Sequence, residues 1–131
     1  MCAVAVETGR FRFAWIGVPD GDRVRPAASA GVDRGYLSRI VVSIDEKDPR
    51  SEGPTGRAMK TGRSYVVNHF MASSLTAPWH DDAHRAGFAA SAAFPIKQKG
   101  KVVAVFTLYA ETPDFFTNSL TAALKIGRAH V

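Results

Sequence analysis

The feature that most constrains the fold is a pair of apolar segments separated by a short polar turn. Residues 101–110 (KVVAVFTLYA) are mostly branched and aromatic, which is typical of a β-strand. Residues 88–96 form a second apolar run, and residues 97–100 (KQKG) have the composition of a hairpin turn. Because both segments are apolar on both sides, the hairpin needs cover on each face. The sequence therefore predicts a sheet with helices on both faces.

A second hairpin is predicted near the start of the chain. Residues 11–18 (FRFAWIGV) read as a strand that places Phe11, Phe13 and Trp15 on one side. Residues 19–22 (PDGD) supply turn chemistry, and residues 23–30 return as the partner strand.

Shorter elements are predicted between the two hairpins. An apolar stripe from Tyr36 to Ile44 predicts an amphipathic helix. Residues 45–52 are polar and form a predicted loop. Pro54 at a first helical turn and Gly62 just beyond the last turn predict a second, short helix.

The rest of the chain predicts one more strand and two helices. Residues 65–68 read as a short strand, and residues 72–78 as a loop. Residues 79–86 predict a polar helix that Gly87 ends, and a last helix runs over residues 118–124. The order of elements predicts a mixed α/β (α+β) domain built on an antiparallel sheet.

Both ends of the chain carry specific expectations. Residues 1–7 read as the last turns of a helix capped by Gly9, and so short a helix needs earlier turns to be stable. The last seven residues (KIGRAHV), back-translated, resemble a sequencing adapter. We therefore expect one domain over residues 1–124, with incomplete terminal helices, and a non-native tail over residues 125–131.

Charge and cysteine content narrow the class of protein. The net charge is +5 and the isoelectric point is near 9.7, but the basic residues are scattered and not interleaved with aromatic ones. We expect a solvated surface and no nucleic-acid partner. Cys2 is the one cysteine, which excludes an internal disulfide framework and a cysteine zinc cluster. No apolar run is long enough for a membrane segment, so a cytoplasmic location is expected.

Four segments in this order resemble a GAF domain of bacterial signalling proteins. They are FRFAWIGVPDGDRVRPAASAG, GPTGRAMKTGRSYVVNHF, APWHDDAHRAGFAASAAFPI and GKVVAVFTLYAETPDFFT, and together they span roughly residues 2–124. The chain looks most like GAF domains beside diguanylate cyclase, phosphodiesterase or two-component histidine-kinase domains. One departure is His69, where relatives commonly have Asp.

The resemblance implies a fold and a function. It implies a GAF-like antiparallel sheet of five to six strands, with terminal helices on one face and short elements roofing a small-molecule pocket on the other. The implied function is a sensor that modulates a linked output domain, as a homodimer through its terminal helices. The alternative is a ligand-free dimerisation or interaction module. An enzyme is not expected, because GAF-like methionine sulfoxide reductases need thiols around the pocket, and no cysteine follows Cys2.

The candidate pocket residues come from this resemblance and from the small side chains of residues 89–93, which leave volume. Ser91 is expected to orient a ligand through its hydroxyl, unless the small residues around it serve close helix packing on the sheet. Trp15, Tyr36, Ile40 and Phe88 could instead be plain core, and His84 a polar residue of a surface helix. The candidates are Trp15, Tyr36, Ile40, Trp79, His84, Phe88 and Ser91.

The sequence gives little support for a metal site or a catalytic site. His80 and His84 share a helix face at a spacing that can bind a metal, but no third ligand and no catalytic Glu accompany them. No Ser-His-Asp or Cys-His set can be assembled. We predict no metal site, no catalytic residue and no defined cofactor, while an unidentified small-molecule ligand stays open.

Overall fold

A five-stranded antiparallel sheet organises the chain in a computed structural model, which describes residues 11–129. The strand order is β2–β1–β5–β4–β3. The predicted helix end at residues 1–7, with its Gly9 cap, lies outside the described residues. The strands are β1 (Phe13–Asp20), β2 (Arg23–Gly31), β3 (Tyr65–Val67), β4 (Ala90–Gln98) and β5 (Lys101–Ala110).

Helices cover both faces of this sheet. They are α1 (Tyr36–Arg39), α2 (Pro54–Thr61), α3 (His80–Ala86) and α4 (Asn118–Ala129), with 3₁₀ helices at Pro49–Ser51 and Ser74–Trp79. The elements α1, α2, α3 and Ser74–Trp79 pack on one side, and we call them the roof. α4 packs on the other side through Leu120 and Leu124. The predicted antiparallel sheet with helices on both faces is confirmed.

Both predicted hairpins are present because their turns suit the twist of the strands. In the β4–β5 hairpin, Lys99 and Gly100 both have positive φ angles, 52° and 79°. Two left-handed residues in a row match the right-handed twist of the flanking strands. In the β1–β2 hairpin, Gly21 takes the positive φ, at 62°.

The centre of the sheet is buried on both faces, as its apolar composition predicts. β5 pairs with β1 on one side and with β4 on the other. Its side chains alternate, so that Val105 and Tyr109 contact the roof cluster while Phe106 and Leu108 contact the α4 cluster. No helix among the described residues has the length and hydropathy needed to cross a bilayer.

The predicted placement of Phe11 is wrong. Phe11 was expected beside Phe13, but it lies in the α4 cluster, with its ring 5.4 Å from that of Phe115 and 5.8 Å from that of Phe116. The reason is that β1 begins only at Phe13, so the alternation does not reach back to Phe11. Arg12 turns to the roof instead, where its Nε donates to the Ala86 carbonyl oxygen at 2.7 Å.

The predicted helix from Tyr36 to Ile44 is also wrong beyond its first turn. α1 ends at Arg39, and Ile40 is extended with ψ 155°. The backbone then runs beside the start of β2, where Val24 N–H donates to the Val42 oxygen at 2.9 Å. Because the residues from Ile40 are β-branched and find these extended-chain partners, tertiary hydrogen bonds outweigh the helical stripe.

Two other boundaries differ from expectation. The 3₁₀ helix Ser74–Trp79 occupies most of the predicted loop at residues 72–78, because the Ser73 hydroxyl accepts from the Leu75 N–H and caps the helix. α4 continues past the expected end at residue 124 to Ala129. The non-native origin of residues 125–131 stays a prediction.

The end of β2 offers a test of backbone packing. Gly31 has a φ of 103°, and a Cβ there would overlap the Arg12 carbonyl oxygen and lie 2.9 Å from the Phe13 Cα. We expect Gly31→Ala to lower the free energy of unfolding in urea by about 2–4 kcal/mol, from strain plus overlap. The control Gly21→Ala, with open space around it, should cost about 1 kcal/mol. Equal losses would contradict the close approach at Gly31.

Candidate functional site

A small cavity lies between the sheet and the roof. Space open to the centre of a water molecule amounts to about 10 Å³, which is room for about one water. The cavity is bounded by sheet residues below and by α1, the start of α2 and Ser74–Trp79 above. Its lining residues are Tyr36, Ile40, Val42, Gly53, Pro54, Thr55, Gly56, Phe70, Trp79, Ser91 and Tyr109.

Tyr109 forms the floor of the cavity and joins sheet to roof. Its hydroxyl accepts a hydrogen bond from Trp15 Nε1 at 3.1 Å and another from the Tyr36 hydroxyl. Its ring stacks on Phe88, with centroids 4.5 Å apart, and meets Tyr36 edge-on at 5.3 Å. Tyr109 on β5 therefore holds together Trp15 of β1 and Tyr36 of α1, which meet at its hydroxyl, and Phe88, which packs on its ring.

Both tyrosines of the cavity are neutral over the physiological range. Burial raises the pKa of Tyr109 to about 12, although the hydrogen bonds from Trp15 and Tyr36 act in the opposite direction. Burial also raises the pKa of Tyr36 well above 10, with a further contribution from the nearby Tyr109. The cavity wall consequently carries no ionised side chain.

Ser91 presents the free hydroxyl of this site. The residue is 1% exposed, and its hydroxyl forms no hydrogen bond with another described residue. Every fully enclosed side-chain nitrogen or oxygen in the described part of the chain has a partner. The Ser91 oxygen must therefore be open to the cavity that the residue lines, where it can donate or accept a hydrogen bond.

Trp79 covers the cavity from the roof side. It can lie this close to the backbone because residue 53 beneath it is a glycine. A Cβ on Gly53 would overlap the six-membered ring of Trp79, so glycine permits this close approach. Trp79 Nε1 donates to the Val41 carbonyl oxygen at 3.0 Å, which ties the indole to the extended segment after α1. Pro54 starts α2 directly beside this contact.

The structure separates the predicted pocket residues into two groups. Tyr36, Ile40, Trp79 and Ser91 line the cavity. The other three do not: Trp15 and Phe88 support Tyr109 from behind, and His84 is exposed on α3.

The sequence reasoning missed several lining residues. Tyr109 could have been found, because the β4–β5 register places it directly opposite Ser91. Phe70 and the start of α2 reach the cavity through tertiary packing that no local pattern shows. His80 lies with its Nε2 3.1 Å from the Thr76 hydroxyl, and residues 11–129 hold no cluster of three metal-ligating side chains.

Two buried serines should respond oppositely to truncation. Ser43 donates to the Asp22 oxygen and accepts from the Asp45 N–H, at 3.2 and 3.0 Å. We expect Ser43→Ala to lower the free energy of unfolding by about 1–2 kcal/mol, and Ser91→Ala to raise it by up to about 1 kcal/mol, because only Ser43 loses partners. Urea denaturation measures both, and equal destabilisation would argue against a free Ser91 hydroxyl.

Tyr109 should make stability depend on alkaline pH. Its pKa is about 12 in the folded state and about 10 in the unfolded chain, so its contribution is complete below pH 10 and is lost as the pH rises to about 12. We expect the free energy of unfolding to fall over this range, and less steeply in Tyr109→Phe, by up to about 3 kcal/mol. Chemical denaturation at several pH values measures this difference. Parallel curves for the two proteins would count against it.

Comparison with known proteins identifies the family. The sequence model of the GAF domain matches residues 1–126. No curated protein sequence matches the chain significantly.

Solved structures agree on the fold. The GAF domain of nlh2 from A. aeolicus in an inactive state is 21% identical, with TM-score 0.66 over 96% of this chain and 71% of that one. A domain assigned to a two-component sensor histidine kinase from Sinorhizobium meliloti 1021 is 20% identical, with TM-score 0.66 over 96% and 78%. The type II free methionine-R-sulfoxide reductase of Thermoplasma acidophilum is 9% identical, with TM-score 0.71 over 95% and 79%. At these identities the likeness concerns the fold alone, and it is the sequence match over residues 1–126 by which the chain belongs to the GAF domain family.

Proposed function

We propose that this GAF domain is a sensory domain that binds a small molecule in the cavity and modulates a linked signalling output domain. The observation that carries the proposal is the free Ser91 hydroxyl facing a small space lined largely by aromatic side chains. Buried polar groups in a folded core normally have partners. A hydroxyl that is kept free in a cavity is what a ligand-binding site requires.

A continuous set of contacts connects the cavity to α4. Phe70 lines the cavity, and two residues earlier Asn68 follows β3. Asn68 holds both backbone groups of Phe116: its Nδ2 donates to the Phe116 oxygen and its Oδ1 accepts from the Phe116 N–H, each at 3.0 Å. Phe116 lies two residues before α4.

This connection supplies a route for regulation. A ligand that displaces Phe70 would pull on Asn68 and so shift the start of α4 on its side of the sheet. Ligand binding would favour one position of α4 over another, and the output domain would respond to that position. In this proposal the domain acts as a homodimer through its terminal helices, and the output domain follows in the same polypeptide.

Catalysis is not part of the proposal. Free methionine-R-sulfoxide reductases share this fold, and reduction of a sulfoxide by protein thiols needs a thiolate nucleophile and a resolving thiol. The chain has one cysteine, Cys2, outside the described residues. The cavity lining supplies hydroxyl groups and aromatic rings but no sulfur nucleophile.

The second candidate is a ligand-free dimerisation module. Its supporting observation is the size of the cavity, which in this conformation accommodates about one water. If the roof never opens, the side chains of the domain itself fill the space, and the function of the domain reduces to association.

Ligand binding and its transmission can be tested together. A panel of metabolites is added to the domain, and the melting temperature is measured at rising concentration. We expect at least one compound to raise it saturably, because a ligand of the folded state stabilises by mass action. The variant Ser91→Val, which fills the cavity, should lose the response. A response that survives in Ser91→Val would place the ligand outside the cavity and contradict the proposed site, and no response from the panel would favour the dimerisation module.

Hydrogen exchange of the α4 amides tests whether ligand binding at the cavity affects α4. With the stabilising compound, amides of residues 118–125 should change their exchange rates in the wild type but not in Asn68→Ala, which lacks both bonds to Phe116. The matched control is His69→Ala, whose ring contacts Asp114 at the surface at 2.9 Å and leaves the Asn68 bonds in place. Coupling that persists in Asn68→Ala would refute this route.

A further inference from the structure

We infer that the cavity selects uncharged, flat aromatic ligands with one hydrogen-bonding group, and that it rejects ligands carrying a net charge. The inference rests on the proposed function, because it names the class of ligand for the same cavity. Three properties of the lining carry it: the charge of the wall, the shape of the wall and the number of free polar side-chain groups.

The wall offers no charged side chain to a charged ligand. None of the lining residues is ionised at neutral pH. A charged pair on the roof is formed by Arg39 and Asp82, whose Nε and Oδ1 atoms are 2.9 Å apart. This pair joins α1 to α3 on the outer side and satisfies its own charges. An ionic ligand would therefore lose its hydration without gaining a counter-charge, which is strongly unfavourable.

The wall is suited to a flat ring. Tyr36 meets Tyr109 with an interplanar angle of 68°, and Phe70 meets Tyr109 at 64° and 6.4 Å between centroids. Trp79 covers the site from the roof and is 5% exposed. An aromatic ligand could contact these rings in the edge-to-face or offset geometry that aromatic pairs prefer.

Ser91 is the one lining side chain whose polar group is free. The Thr55 hydroxyl is paired with that of Thr107 at 2.7 Å, and the Trp79 N–H is bonded to the Val41 oxygen. The Tyr109 hydroxyl accepts from Trp15 and Tyr36. A ligand with one donor or acceptor would complete the side-chain hydrogen bonding of the site, whereas a ligand with several would leave the others unpaired.

Entry of an aromatic ligand requires the roof to move. The segment from residue 42 is hydrogen-bonded to the β1–β2 hairpin, whereas α1 has no such backbone bonds to a strand among the described residues. From residue 42 onward, the extended segment is fixed to β2 and its turn, with Val24 N–H on the Val42 oxygen and Ile44 N–H on the Asp22 oxygen. α1 has only four residues, and besides the core packing of Tyr36 on Phe88 and Tyr109 it is held to α3 by the surface pair of Arg39 and Asp82. Displacement of α1 and Ile40 would therefore widen the cavity without breaking a strand pairing.

Pairs of probes that match in size but differ in charge test the inference. Benzamide is compared with benzoate, and benzyl alcohol with protonated benzylamine, at neutral pH. We expect each neutral probe to raise the melting temperature saturably and its charged counterpart to bind at least about tenfold more weakly. In Ser91→Val, which fills the cavity, the response to the neutral probes should disappear.

Ser91→Ala isolates the hydrogen bond. This variant should bind benzyl alcohol about fivefold to tenfold more weakly than the wild type, since one hydrogen bond is lost. Its affinity for toluene, which has no polar group, should be unchanged. Exposed Ser29→Ala on β2 is the matched control and should alter neither affinity.

Several outcomes would overturn the inference. Equal or stronger binding of benzoate or benzylamine, lost in Ser91→Val, would refute the charge selection while supporting the cavity as a ligand site. Binding that survives in Ser91→Val would locate the probes elsewhere, for instance in the open cleft beside Arg57 and Lys60, and would also refute it. If no probe binds, the inference fails, and the metabolite panel decides separately on the proposed function.

Discussion

Tyr109 is the side chain on which the two layers of this domain depend. It lies on the central strand β5, and its ring contacts Phe13, Tyr36, Phe70 and Phe88. Its hydroxyl is buried, so the cost of removing it from water must be offset by hydrogen bonds from within the protein. Trp15 and Tyr36 supply them, one from the sheet and one from α1. The same group that stabilises the core thus fixes where α1 sits and gives the cavity its floor.

The sheet keeps its two faces distinct, and this division bears on how a signal could pass. The roof side holds the cavity, while the α4 side is an aromatic and aliphatic cluster around Phe11, Phe106 and Phe116. A densely packed sheet transmits little by deformation, because its strands are held by many backbone hydrogen bonds. Asn68 lies at an edge, where β3 ends, and there it reaches the segment that leads into α4. The route in our proposal therefore goes around the sheet through a polar contact.

The uncharged wall and the small volume of the cavity have a common origin. Glycines at 53 and 56 let Trp79 and the carbonyl oxygens of Ser43 and Ser51 approach α2 closely. Close approach expels water, and without water a charged side chain would be costly in the wall. The residual side-chain polarity consists of hydroxyl groups and the Trp79 N–H, and among these the Ser91 hydroxyl is free. In our proposal, the roof with the four-residue helix α1 at its margin admits a ligand by moving.

Local patterns predicted the elements whose partners are close in sequence. The β1–β2 and β4–β5 hairpins, α2 between Pro54 and Gly62, and the Gly87 end of α3 all follow from turn and cap chemistry that involves neighbouring residues. The helix predicted after Tyr36 does not extend beyond Arg39, because residues 42–44 hydrogen-bond to the start of β2 and its turn, about twenty residues away. The predicted side of the sheet for Phe11 was wrong because β1 begins at Phe13, two residues later than the composition suggested.

In the candidate site too, some residues could be predicted from the sequence, whereas others depend on contacts between distant segments. Ser91 and Trp79 could be singled out from composition and resemblance, and both line the cavity. His84 was also a candidate, but it is exposed on α3, since this short polar helix buries only the face formed by Ala83 and Ala86. The sequence by itself determined the strands, the turns and the absence of ionisable groups from the small residues 89–93. Only the tertiary structure decided which side chains meet, because the meeting of Tyr109, Phe70 and Gly53 depends on strand register and helix docking between distant segments.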